Sequence, residues 1–134
     1  MEPKDTTMLA FYQLLGRVFY ATAQADSEIN EEEVTALKQV VKEQWLEVED
    51  TTDEFDSDAA YQIEIVFDYL LENDVTSDNV LNDLEEFKSV HSSLFTSGMS
   101  KLIMDTSSKI ASSFAKRNKS ELVFLSKLWL ILKD

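Results

Sequence analysis

The chain has 134 residues, 44% of them apolar, with two glycines, one proline, no cysteine and a net charge of −14. That length suits one domain with a proper core, and the apolar fraction argues against global disorder. So few glycines and prolines disfavour a turn-rich sandwich or barrel, and the missing cysteines exclude disulfides, thiolate zinc sites and cysteine nucleophiles.

Apolar residues recur at helical spacing almost throughout. A first helix is predicted from Thr6 or Thr7 to Ala25, with Met8, Tyr12, Leu15, Phe19 and Ala23 on one stripe that Phe11, Leu14 and Val18 widen. A second runs from Asn30 to about Glu47 with Val34, Leu37, Val41 and Trp45 inward. Glu47 to Asp56 carries six carboxylates in ten residues and reads as a solvated loop. Ser57 then reads as the cap of a third helix, with Ala59, Ile63, Val66, Phe67 and Leu70 inward. A fourth follows Ser77, with Val80, Leu84, Phe87, His91 and Leu94 on one side. A break falls near Phe95 to Ser97, where Gly98 reads as a helix-end residue.

The fifth helix carries Met99, Leu102, Ile103, Thr106, Ile110 and Phe114, with a small-residue strip of Ser108, Ala111, Ser112 and Ala115. The last runs from about Lys119 to Lys133 and is apolar nearly all round. Such a helix is expected either at the centre of the bundle or with an extra face for an oligomer contact. The fold expected is all-α, a single domain over residues 1–134, built as a bundle of about six helices.

A degenerate helix-loop-helix repeat is expected inside it. Asn30 to Val34 aligns with Asn118 to Leu122, each an N-cap followed by glutamate three residues on, the capping box that satisfies backbone N–H groups at a helix start. Leu37 then meets Leu125 and Val40 meets Leu128, whereas Asp26 meets Phe114 and Glu28 meets Lys116. Only the first copy keeps carboxylates, so only there could a cation bind.

Five carboxylates crowd into Asp26 to Glu33. They admit two readings. As a helix start, Asn30 caps, Glu33 closes the capping box, and Glu31 and Glu32 meet the positive end of the helix dipole. As a weak divalent-cation site, Asp26, Glu28 and Glu33 would be the metal ligands, since calcium or magnesium takes several oxygens converging from a loop. An EF-hand template fails, because Thr22 stands where it needs aspartate and Ser27 where it needs glycine. His91, the single histidine, lies on an apolar stripe and reads as a core or boundary residue. Ser113 and Lys116 form a serine-x-x-lysine spacing with no companion motif, and no glycine-rich phosphate loop exists. No catalytic residue and no cofactor is expected, beyond weakly held calcium or magnesium.

Charge is divided along the chain. Asp26 to Glu86 holds 21 acids against two lysines, or −19, while Phe87 to Asp134 holds eight bases against three acids, or +5. The acidic half repels phosphate, so no nucleic-acid partner is expected; opposite charges leave room for head-to-tail self-association. No apolar run approaches the roughly 20 residues that span a bilayer and no signal peptide is evident, so a cytoplasmic protein is expected.

Leu15 to Val41 resembles the TerB-like superfamily, the tellurite-resistance domain also found at the N-terminus of membrane-anchored J-domain co-chaperones. Such domains carry a helix ending in alanines, then A-D-G-x-I-x-x-x-E, then an amphipathic helix. Ala21, Ala23 and Ala25 end the helix here; Asp26, Ile29 and Glu33 match the motif, and Ser27 replaces its glycine. The resemblance implies an all-helical fold with an internal pseudo-repeat, and a cation-linked or protein-docking site around Asp26 and Glu33. The function expected is a non-enzymatic interaction module with an acidic surface, in a stress- or envelope-related assembly with a protein partner. The alternatives are a weak cation-binding or sensing protein, and a structural homo-oligomer through the apolar C-terminal helix.

Overall fold

A computed structural model describes residues 5–24, 31–46, 54–73, 79–113 and 119–133. Helix α1 (Asp5–Gln24) is buried around most of its circumference: Phe11, Leu15, Val18 and Phe19 are fully enclosed, and Tyr12, Leu14, Tyr20, Ala21 and Ala23 nearly so. It is followed by α2 (Glu31–Leu46), α3 (Glu54–Asn73), α4 (Val80–Val90), a 3-10 turn (Ser92–Leu94), α5 (Ser97–Ser113) and α6 (Lys119–Leu132). The fold is all-α, with six helices and no strand among the described residues.

The predicted stripes face the core. Val34, Leu37, Val41 and Trp45 of α2, Ile63, Phe67 and Leu70 of α3, Val80 and Leu84 of α4, and Ile103, Thr106 and Ile110 of α5 are all buried. Burial of a Leu, Ile or Phe side chain contributes about 1.5–3 kcal/mol, so these stripes supply most of the driving force.

The centre of the bundle is α1, not the C-terminal helix. Helices α3, α4, α5 and α6 all pack on α1, while α2 packs on α3 and α5, and α6 packs on α5, α4 and α1. A glycine lets α1 accept one of these neighbours at close range. At Gly16 the backbone of α3 comes so close that a Cβ would lie 2.8 Å from Val66 Cβ and 3.2 Å from the Ile63 carbonyl oxygen. At another level of α1, Phe11 stacks on Phe87 with centroids 5.6 Å apart and meets Phe95 edge-on at 5.2 Å, joining α4 and the following turn to the core.

Polar contacts fix how the helices sit. Trp45 Nε1–H donates to Thr106 Oγ1 at 3.2 Å, and that hydroxyl donates to the Leu102 carbonyl at 2.7 Å. The only indole N–H in the core is thereby satisfied, and α2 is tied to α5. Arg17 donates to Asp83 at 2.6 Å between α1 and α4, and Lys38 pairs with Asp68 at 2.8 Å between α2 and α3. Both pairs are partly solvated and contribute at most about 1 kcal/mol each. Lys88 Nζ donates to the Ile131 carbonyl at 2.7 Å, placing a cation on the last turn of α6, where carbonyls lack helical partners.

Three helix ends differ from expectation. Helix α3 begins at Glu54, so Ser57 lies inside it and is not its cap. Carboxylates at the start of a helix meet the positive end of its dipole, so the end of the acidic run is a start signal. Gly98 is the second residue of α5 and terminates nothing. Thr96 caps that helix, its Oγ1 accepting the Met99 N–H at 3.1 Å. Helix α4 stops at Val90, and His91 takes the C-cap position with its N–H on the Phe87 carbonyl at 2.8 Å.

Candidate interaction surface

Of the three predicted metal ligands, Asp26 and Glu28 lie outside the described residues, and Glu33 is placed only as a backbone position in the first turn of α2. Among the described residues no group of three or more His, Asp or Glu side chains is arranged to hold a metal ion. His91 is half-buried with its ring 4.6 Å from that of Phe87, as a boundary histidine would be. It shares a shallow open groove with Asp83, Glu86, Phe87 and Val90, nearly all from one helix, and Asp83 is already engaged by Arg17. Ser113 takes its place at the end of α5, and Lys116 lies outside the described residues.

The conspicuous surface is on α6. Its inward face consists of Leu125, Leu128 and Leu132, all buried, with Phe124 and Ile131 half-buried beside them. A second apolar face points to solvent: Leu122, Val123, Trp129 and Leu130 are 46%, 45%, 50% and 59% exposed. Leu122 and Trp129 are seven residues apart, as are Val123 and Leu130, so the four form one stripe along two turns of helix. Lys127 of the same helix and Lys133, just past its end, are exposed, and the Lys133 ammonium sits 5.1 Å from the Trp129 ring centroid.

Comparison with α2 shows what is unusual about this face. Helix α2 begins one residue after Asn30 and α6 one residue after Asn118, so the two share a register. At matching positions Leu37 and Leu125 are buried, and so are Val40 and Leu128. Val34 is 3% exposed where its counterpart Leu122 is 46%, and Val41 is 0% where Trp129 is 50%. In α2 those positions are covered by neighbouring helices; in α6 none of the described residues covers them.

A smaller apolar pair stands on the acidic half. Ile65 and Tyr69 of α3, one turn apart, are 43% and 59% exposed. Glu64, Asp68 and Glu72 interleave with them on the same helix. The sequence analysis did not single out this pair; the offset of Ile65 from the Ile63–Phe67–Leu70 stripe was the available signal.

No helix among the described residues is long and apolar enough to cross a membrane. No protein-family profile, no curated protein and no solved structure matches the chain.

Proposed function

We propose that this chain is a non-enzymatic, TerB-like protein-interaction module of the cytoplasm, and that its contact surface is the outward face of α6. The observation that carries the reading is the solvent-facing stripe of Leu122, Val123, Trp129 and Leu130, on a helix whose opposite face already supplies its share of the core. An apolar stripe of this length costs free energy in water, and none of the described residues packs over it. Trp129 is of the residue type most enriched in binding hot spots, and the aliphatic residues around it extend the apolar area it could bury. The matched register of α2 and α6 supports an internal repeat, and with it the TerB-like resemblance. In that view Leu122 and Trp129 occupy helix-packing positions left for a partner to cover.

The test is photo-crosslinking in cells, with a benzophenone amino acid at position 130 of the full chain and at the exposed position Glu85 of α4 as control. Discrete adducts from position 130 alone are expected. Adducts absent at 130, or equal at both positions, would end the reading.

A further inference from the structure

Two solvent-facing apolar patches of opposite surrounding charge exist on different helices of this one molecule. We propose that the α6 stripe of one copy docks on the Ile65–Tyr69 face of α3 in a second copy, giving a head-to-tail assembly. The proposal rests on the reading of α6 as a contact surface and names what covers it.

The argument is one of charge and symmetry. A two-fold pairing centred on either patch sets that patch against itself. An α6–α6 contact would then bring Lys127 and Lys133 against their own copies, and an α3–α3 contact would bring Glu64 and Glu72 against theirs, Asp68 being already paired with Lys38. Like charges facing each other across an interface oppose it. Pairing α6 with α3 buries apolar surface on both sides and sets lysines against carboxylates. The long-range field agrees: the −19 segment contains all of α2 and α3, and the +5 segment contains all of α5 and α6. A net charge of −14 disfavours self-association in any orientation that ignores this division, and head-to-tail contact is the orientation that uses it. With few apolar residues on each side, the contact falls at the small end of protein interfaces, so assembly is concentration-dependent. Screening over a Debye length of about 8 Å at physiological ionic strength makes it salt-sensitive as well. Where both contacts form at once the assembly closes as a reciprocal two-fold dimer; otherwise it grows into a ring or an open chain according to whether the rotation closes.

Complementation between two variants of the full chain tests this by sedimentation velocity. Leu130→Asp removes the α6 surface and Tyr69→Asp removes the α3 surface; both sites are exposed, so both variants should keep the wild-type circular dichroism spectrum, with a slightly lower melt for Leu130→Asp, which sets an anion in the last turn of α6. Wild type should sediment faster as its concentration rises and slower as salt is added. Each variant alone should stay monomeric, and an equal mixture should form a one-to-one dimer and nothing larger, through the intact surface on each. Three results overturn the proposal: a wild type that is monomeric throughout, a Tyr69→Asp variant that assembles like wild type, or a mixture that stays monomeric. If position 130 crosslinks to a different protein while wild type stays monomeric, the interaction reading stands and only this inference fails. If there are neither adducts nor assembly, both fail.

Discussion

Gly16 stands in the middle of α1, where alanine would raise helix propensity by about 1 kcal/mol in an exposed helix. Here the added methyl meets Val66 Cβ and the Ile63 carbonyl, neither of which can swing aside. Overpacking of that kind costs about 1–3 kcal/mol. Gly16→Ala should therefore lower stability by about 1–2 kcal/mol in urea denaturation; a gain of about 1 kcal/mol would mean that α1 and α3 are further apart. Thr106 gives a second residue-scale test. Thr106→Val keeps the shape but leaves the Trp45 N–H unpaired in the core, at a cost of about 1–3 kcal/mol. In a Trp45→Phe background the same change should cost much less, and equal costs in both backgrounds would remove the hydrogen bond from the account. Neither contact was legible in the sequence. Gly16 reads there only as a rare glycine, and Thr106 as one more inward position, because the partners lie 50 and 61 residues away along the chain. The carboxylates Asp26, Glu28 and Glu33 were legible, but as a local pattern with two meanings. The helix-start meaning predicts no heat when calcium is titrated into the protein. Heat that disappears in Asp26→Asn with Glu33→Gln would establish the cation site instead.

At the scale of elements, apolar periodicity located all six helices, and the stripes of α1 and α2 mark buried residues almost one for one, whereas in α5 Ile103, Thr106 and Ile110 are buried, Met99 and Leu102 are half-buried and Phe114 lies outside the described residues. It did not identify the central helix. Hydropathy measures how much apolar surface a helix carries, and not how many neighbours it has. Helix α1 is less uniformly apolar than α6, yet Gly16 lets α3 approach closely, and Ala21, Thr22 and Ala23 are buried beyond it. Helix α6 instead shows both of its apolar faces by composition, but the described residues cover only one. That division makes a direct prediction. Leu128→Ala should cost about 2–5 kcal/mol, as for a fully buried leucine, whereas Leu130→Ala should change stability by less than about 0.5 kcal/mol. Thermal melts of the dilute protein measure both. A Leu130→Ala loss close to that of Leu128→Ala would mean that the outward face belongs to the core.

At the scale of the whole molecule, a bundle centred on α1 carries an acidic segment through α2 and α3 and a basic one through α5 and α6. The division of charge was plain in the sequence, whereas the placement of an exposed apolar patch on each side required the fold. The central claim is that the outward face of α6 becomes covered by protein. The chain provides its own reporters, since its two tryptophans divide cleanly: Trp45 is buried beneath α5 and Trp129 lies on the α6 stripe. Fluorine NMR of protein labelled with 5-fluorotryptophan, recorded across a dilution series at low and high salt, observes both at once. The account predicts that the Trp129 resonance shifts and loses its solvent isotope effect as concentration rises, and that salt reverses this, while Trp45 stays fixed. A Trp129 resonance that remains solvent-exposed at every concentration would contradict it.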